Sequence, residues 1–361
     1  MKFGAMIAPR IDDWKLLQEA ERLGYDHGWV PDSQMIWSDC YAVLALAAAN
    51  TSRIRLGTGV AVAGTRSAPV TAAAIATIAR LAPGRVFLGI GTGHTAMRTM
   101  GFDPVRAREF RDYLRVVRAL LRGDEVDYRL GERTRAIRFL HREQGFLELG
   151  HQIPMWVAAN GPHALGAAGA FGDGRVSAGL EPAQHFAMSM ELVRAGAARV
   201  GRTLPENYHT AALTFSCVLR PGETLESERV VDSCGSMAVA SLHFWWELAA
   251  ERGGDDGFVP EAARDDWERY RAFVAGLGIP PERLHLRLHE GHCTWLVPEE
   301  RRFVTPAVIR ASGGLVGTPE EILAMLRAHE STGLREVTLL PPMATARELF
   351  AEFAHQIIER Y

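Results

Sequence analysis

Along the first half of the chain, short apolar runs alternate with stretches whose apolar positions recur every three or four residues. KFGAMIA (2–8) reads as a strand. DDWKLLQEAERLG (12–24) reads as a helix in which Leu16, Leu17, Ala20 and Leu23 share one face and Gly24 stops it. The alternation continues through HGWVPD (27–32) as a strand, SDCYAVLALAAANT (38–51) as a helix of small residues and IRLGTGVAV (54–62) as a strand. APVTAAAIATIARLA (68–82) follows as a helix and RVFLGIG (85–91) as a strand. The clearest amphipath comes next, with Phe110, Tyr113, Leu114, Val117, Leu120 and Leu121 at helical spacing before Gly123. MWVAAN (155–160), RVSAGL (175–180), HTAALTFSCVL (209–219) and EVTLLPP (336–342) supply four more strands. A last helix turns Leu349, Phe350, Phe353, Ile357 and Ile358 inward.

Strands apolar on both faces, each followed by a helix, specify a parallel sheet covered on both sides, and eight such units close most naturally into an α/β fold of the (β/α)8 TIM-barrel type. The whole chain, 1–361, reads as one barrel domain with insertions. Residues 124–150 are charged and strand-like and read as an inserted hairpin. Residues 253–316, with GGDDG, Pro280-Pro281 and Pro298 between aromatic patches, read as a loop-rich, lid-like insertion.

Composition narrows the partners. With 40 Lys+Arg against 43 Asp+Glu and a net charge of −3, the chain has no basic excess for a nucleic acid. Lys2 and Lys15 are the only lysines; we read the arginine bias first as coding bias and second as a preference for guanidinium sites. The four cysteines form no CxxC, so neither a disulfide scaffold nor a zinc ribbon is implied, and a reducing cytoplasm is the expected location. No run has the length of a signal core or a membrane span.

In a parallel barrel the chemistry lies at the C-terminal tips of the strands. Those tips are Ala8-Pro9, Pro31-Asp32-Ser33, Gly59-Val60, Gly91-Thr92-Gly93-His94, Asn160-Gly161-Pro162, Ala178-Gly179-Leu180 and Pro341-Pro342. Glycine there lets a flat ring or a phosphate approach backbone N–H groups, although βα turns favour glycine in any case. GIGTG before HTAMRTMG is the most phosphate-like element, but it matches neither a Walker A motif nor GxGxxG in register. Asp32 is either a hydrogen-bond acceptor for a cofactor ring or an ordinary helix cap.

The run from GWVPDSQMIWSDC through RVFLGIGTG, then IPMWVAANGPHALGAAGAFGDGRVSAGL, then VGTPEEILAMLRAHESTGLREVTLLPP, resembles the bacterial luciferase-like superfamily of flavin- and deazaflavin-dependent oxidoreductases. The branch it resembles most contains methylenetetrahydromethanopterin reductase. The resemblance implies a small-molecule enzyme that binds reduced FMN or coenzyme F420 at the barrel mouth. It places Asp32 and Ser33 near the ring and Gly59-Val60 where several members hold a cis peptide. Gly91, Thr92, Gly93 and His94 fall at the cofactor side chain. Asn160, Gly161, Pro162, Gly179 and Leu180 fall at the second wall and phosphate end.

The sugar-phosphate dehydrogenases of the superfamily carry His directly after the Asp and Glu directly after GTG. Here Ser33 and His94 stand instead, which puts sugar-phosphate oxidation in doubt, while their Trp is matched by Trp37. His94 is then either a proton carrier together with Asp32 or a plain hydrogen-bond donor on the phosphate side. In the insertion, His285, His289, His292 and Cys293 cluster in HLRLHEGHCTW, but HEGH is not HExxH, and no metal site is expected. His289, His292 and Trp295, with Trp37, are expected to face substrate. FWWE (244–247) reads as a buried helix patch or part of a homodimer interface.

Two activities remain open. One is a monooxygenase using reduced FMN, with a separate flavin reductase as partner, which is the leading expectation. The other is F420-dependent hydride transfer, and a third reading is a non-catalytic ligand-binding barrel.

Overall fold

A computed structural model describes residues 1–361. Eight parallel strands follow one another round a closed barrel: Lys2–Met6, His27–Val30, Arg55–Thr58, Val86–Gly91, Met155–Ala158, Gly174–Ala178, His209–Thr214 and Glu336–Leu339. Each pairs with its sequence neighbours, and the first pairs with the eighth, Gly4 lying opposite Thr338 on one side and His27 on the other. This is the (β/α)8 barrel that the alternation predicts.

Period-two alternation divides each strand. Phe3, Ala5, Leu56, Leu88, Val157 and Val337 join the main core beneath the surrounding helices. Met6, Trp29, Phe87, Trp156, Val176 and Ala211 instead form a smaller cluster inside the barrel. Phe87 stacks on Trp156 at 4.1 Å, and Trp29 meets Phe87 edge-on at 4.5 Å. Glycine makes room for these rings: a Cβ on Gly57 would lie 2.3 Å from the Phe87 ring, and one on Gly174 would lie 2.7 Å from Trp156.

Three expectations change in detail. HTAALTFSCVL is not one strand. The barrel strand ends at Thr214, whose Oγ1 donates to the Gly313 carbonyl at 2.6 Å. Ser216–Val218 then pairs with Leu315–Gly317 outside the barrel. Residues 253–316 are helical more than loop-rich, with helices Arg264–Gly276, Pro281–Leu288 and Pro306–Ala311. The prolines mislead because Pro281 and Pro306 occupy the first helical turn, where a missing N–H costs nothing. The helix Glu228–Glu251, which precedes the expected boundary, shares their apolar core through Val230, Leu242, Trp245, Trp267, Tyr270 and Phe303. In 124–150 only Val126–Leu130 and Arg133–Ile137 pair as a hairpin, turning at Gly131 with φ +59°. No helix is long and apolar enough to cross a membrane.

Candidate active site

The strand tips and the helical insertion meet at the C-terminal mouth. The tip of the second strand reaches across first: Trp37 Nε1 donates to Thr294 Oγ1 at 3.0 Å, and the Met343 N–H after the eighth strand donates to the Thr294 carbonyl at 3.0 Å. Arg98, after the fourth strand, pairs with Glu247 at 3.5 Å and with Glu251 on the long insertion helix. Cys293, in the left-handed region at φ 54°, drops its side chain into the barrel's interior aromatic cluster. Five consecutive residues, from His289 to Cys293, thus turn over the mouth and close its centre.

Asp32 is buried at 4% exposure, and its carboxylate is fully engaged. Arg66 Nη1 donates to Oδ2 at 2.6 Å, the Val62 N–H donates to the same oxygen at 3.2 Å, and Gln34 donates to Oδ1. Arg66 also reaches Asp39 at 2.7 Å, so one guanidinium ties the loop after strand two to the start of its helix. Asp39, not Asp32, caps that helix, accepting from Tyr41 and Ala42 N–H groups. Three donors hold the Asp32 carboxylate and take up most of its acceptor capacity. Its geometry is that of a clamp that shapes the tip.

Ser33 is buried, and its carbonyl accepts from the Ile36 and Trp37 N–H groups at 3.0 Å, which sets the turn that presents Trp37. The Gly59–Val60 peptide is cis, where the resemblance placed one. A Cβ on Gly59 would lie 2.6 Å from Met6 Cε and 3.0 Å from Trp29 Cβ, so a larger residue here would have to displace the Met6 side chain. Gly91, Thr92 and Gly93 follow at the next tip. Gly93 sits at φ +80° and opens the short helix His94–Arg98.

His94 itself is exposed at the rim, with its ring edge-on to Phe244 at 6.0 Å. Desolvation by the surrounding protein lowers its pKa below the ordinary histidine value. Glu251 opposes that shift and Arg98 adds to it. FWWE is thus divided: Trp245 is core, while Phe244 is exposed and faces His94.

On the opposite wall, Asn160 accepts from the Ala178 N–H at 3.3 Å, coupling the fifth and sixth tips. Gly161 and Pro162 begin the helix Pro162–Phe171, and a Cβ on Gly161 would meet nothing within 4 Å. Gly179, at φ +86°, and Leu180 border Ser312 and Gly313 of the insertion. Arg175 braces this wall from behind, donating to the Ala159 carbonyl at 2.9 Å and to both oxygens of Glu181 at 2.6 and 2.7 Å. Sequence reasoning missed Arg66, Arg175 and Arg98. The arginine excess was their one signal, and it carries no positional information.

The expected substrate residues separate. Trp37 and His292 meet with rings 6.0 Å apart. His292 Nδ1 is enclosed without a hydrogen-bond partner, and burial together with His289 and His243 holds its pKa well below the usual value. His289, expected to face substrate, is 5% exposed, and its Nε2 lies 2.8 Å from Glu247. It supports the turn from behind because Glu247, on the insertion helix, needs a buried partner. Trp295 is 50% exposed, with no hydrogen bond or aromatic contact to its ring.

The Luciferase-like monooxygenase family profile matches residues 13–336. The chain belongs to this family. Within it, the chain is 30% identical over 224 residues to a 5,10-methylenetetrahydromethanopterin reductase of Methanolobus tindarius, covering 60% of this chain and 65% of the relative. It is 32% identical over 225 residues to an F420-dependent glucose-6-phosphate dehydrogenase of Kineococcus radiotolerans, covering 58% and 65%. The chain thus spans 65% of the length of each of these two relatives. The structure of a coenzyme F420-dependent tetrahydromethanopterin reductase from Methanopyrus kandleri superposes with a TM-score of 0.72 at 20% identity, covering 100% of this chain and 99% of that one. The family assignment agrees with the geometry, in which every tip residue singled out lies at the C-terminal end of a strand.

Proposed function

We propose that this protein is a deazaflavin-dependent oxidoreductase that moves a hydride between F420 and a small organic substrate, with FMN as the alternative cofactor. The observation that carries the reading is His94: an accessible, largely neutral imidazole at the tip after Gly91-Thr92-Gly93, with no competing hydrogen bond. The name of the Kineococcus radiotolerans relative supports F420 over FMN.

The residues present fit such a cofactor. Gly161 leaves open space beside the first turn of a ten-residue helix, whose free N–H groups suit a phosphorylated tail. The bulge at Gly59-Val60 and the turn at Ser33 offer backbone, not side chains, to a flat ring. Bound there, the cofactor supplies the hydride chemistry. The protein's part is to orient and to manage the proton. Neutral His94 takes a proton from a substrate hydroxyl on oxidation and returns it on reduction. Trp37, held by Thr294, and the turn from His289 to Cys293 exclude water above the ring. Ser33 and His94 replace the pair expected for sugar-phosphate oxidation, so the reading does not extend to a sugar phosphate.

The family description supports a second reading, a monooxygenase that receives reduced FMN from a separate flavin reductase. A spectroscopic titration decides between them. Saturable, one-to-one binding of F420 with no comparable binding of FMN is expected. Tight binding of FMN alone would overturn the hydride-transfer reading in favour of the monooxygenase, and binding of neither would leave the non-catalytic barrel. A homodimer in the cytoplasm is part of the proposal and is checked by sedimentation and fractionation.

A further inference from the structure

The opposite end of the barrel holds a group of side chains that the proposed function does not use. His27, His209 and Glu336 are the first residues of the second, seventh and eighth strands, and by strand parity all three point into the barrel. Their ligand atoms lie within 4.8 Å of one another. Glu336 Oε2 is 2.9 Å from His27 Nδ1 and 2.6 Å from His209 Nε2. Glu336 is completely buried and His27 is 5% exposed. We propose that these three side chains form a binding site for one divalent transition-metal ion of the zinc class.

Four observations favour this over a simple ion pair. First, His27 Nδ1 is buried and makes no hydrogen bond, although it lies 2.9 Å from a carboxylate oxygen. The carboxylate oxygen is close to this nitrogen without meeting hydrogen-bond geometry. Second, the donor set of two imidazoles and one carboxylate suits zinc, nickel, cobalt or iron and does not suit magnesium or calcium. Third, the carboxylate is held from outside by hydrogen bonds and the two rings by aromatic packing. Glu336 Oε1 accepts from Trp29 Nε1 at 2.8 Å and from Thr338 Oγ1 at 2.9 Å, which leaves Oε2 for the ion. The His209 ring stacks on Trp156 at 4.0 Å, and His27 stands edge-on to the same indole at 5.2 Å. Such outer partners orient ligands at protein metal sites.

Fourth, there is an entry path. Both histidines line a cavity of about 880 Å³ at the N-terminal end, together with Lys2, Arg53, Arg55 and Arg335. Lys2 is paired with Asp26, and Arg55 carries a buried Nε without a partner. Glu21, Asp26 and Glu330 line the same cavity, so its charge is mixed and water can reach the remaining coordination position. Ligands about 2.1 Å from a tetrahedral ion stand about 3.4 Å apart, so Glu336 Oε2 must draw away from each imidazole nitrogen by less than about 1 Å to admit it. The ion would join strands from the start, middle and end of the chain, at the barrel face where conserved function is usually stability.

The test uses the full chain, dialysed against chelator and titrated with Co²⁺ and then Zn²⁺. One equivalent of Co²⁺ with visible d–d absorption is expected, displaced by Zn²⁺. At Zn²⁺ a hundredfold above its dissociation constant, Tm rises by about 4 °C. His209→Gln, altering a partly exposed ring, and Glu336→Gln each abolish the band. The double variant His289→Gln/His292→Gln retains it, which separates this site from the histidines of the insertion. Should Glu336→Gln fail to fold, His209→Gln and His27→Gln carry the result. Absence of a stoichiometric Co²⁺ spectrum in the parent chain, or its survival in folded His209→Gln, overturns the proposal.

Discussion

The two ends of the barrel place carboxylates and histidines in opposite surroundings. At the C-terminal mouth, Asp32 is paired with Arg66 from the loop before the third barrel helix, and Glu247 with Arg98 from the short helix His94–Arg98. At the N-terminal floor, Glu336 sits at 0% exposure between two imidazoles, with its other oxygen held by an indole and a hydroxyl. The mouth groups clamp the segments around the strand tips, and His94 stands exposed beside them. The floor groups join strands that are distant in sequence and have no loop to shape. One barrel thus keeps an accessible rim and a buried base from the same side-chain types, because burial and the choice of partner differ.

The largest effect should come from the floor. Glu336→Gln removes the carboxylate that contacts the buried His27 ring and the partly exposed His209 ring, and should cost about 3 kcal/mol in chemical denaturation. Arg66→Ala at the mouth should cost less, about 1–2 kcal/mol, because Asp32 keeps Val62 and Gln34 as donors, while cofactor affinity falls. Equal losses would break the comparison.

His94→Gln should lower kcat roughly a hundredfold while leaving the unfolding midpoint unchanged. Its lowered pKa places the acid limb of activity below the ordinary histidine range. Steady-state rates across pH check both points, and an unchanged kcat would remove His94 from the proton path.

His292 gives a stability effect instead. Its pKa is held well below the model-peptide value of 6.5, so the unfolded chain takes up a proton first as pH falls. The stability it contributes is present above about pH 6.5 and is lost as pH drops below that value. Urea midpoints should fall on acidification in the parent chain and fall less in His292→Phe. The smallest effect belongs to Trp37→Phe, which loses the bond to Thr294 and should cost about 1 kcal/mol, read from the same midpoints.

Strand and helix periodicity carried most of the barrel, and the tips followed from it, because both depend on patterns within a few residues. The Gly59-Val60 and Gly91-Thr92-Gly93 turns were readable for the same reason. The insertion was less so: Pro281 and Pro306 look like breakers in sequence, yet each opens a helix. His289 was expected to face substrate with His292, but at the end of the helix Pro281–Leu288 its ring turns back onto Glu247. Arg66 and Arg175 were lost in the arginine excess.

The amino-acid sequence by itself determined the (β/α)8 barrel, the family and the rim residues around His94, since each rests on local alternation and on short contiguous motifs. Only the tertiary structure decided that Asp32 is a clamp, that the turn from His289 to Cys293 closes the mouth, and that residues 27, 209 and 336 converge on the floor. The physical reason is that closing a barrel places the first residues of distant strands side by side, and no spacing along the chain records which side chains then share one buried point.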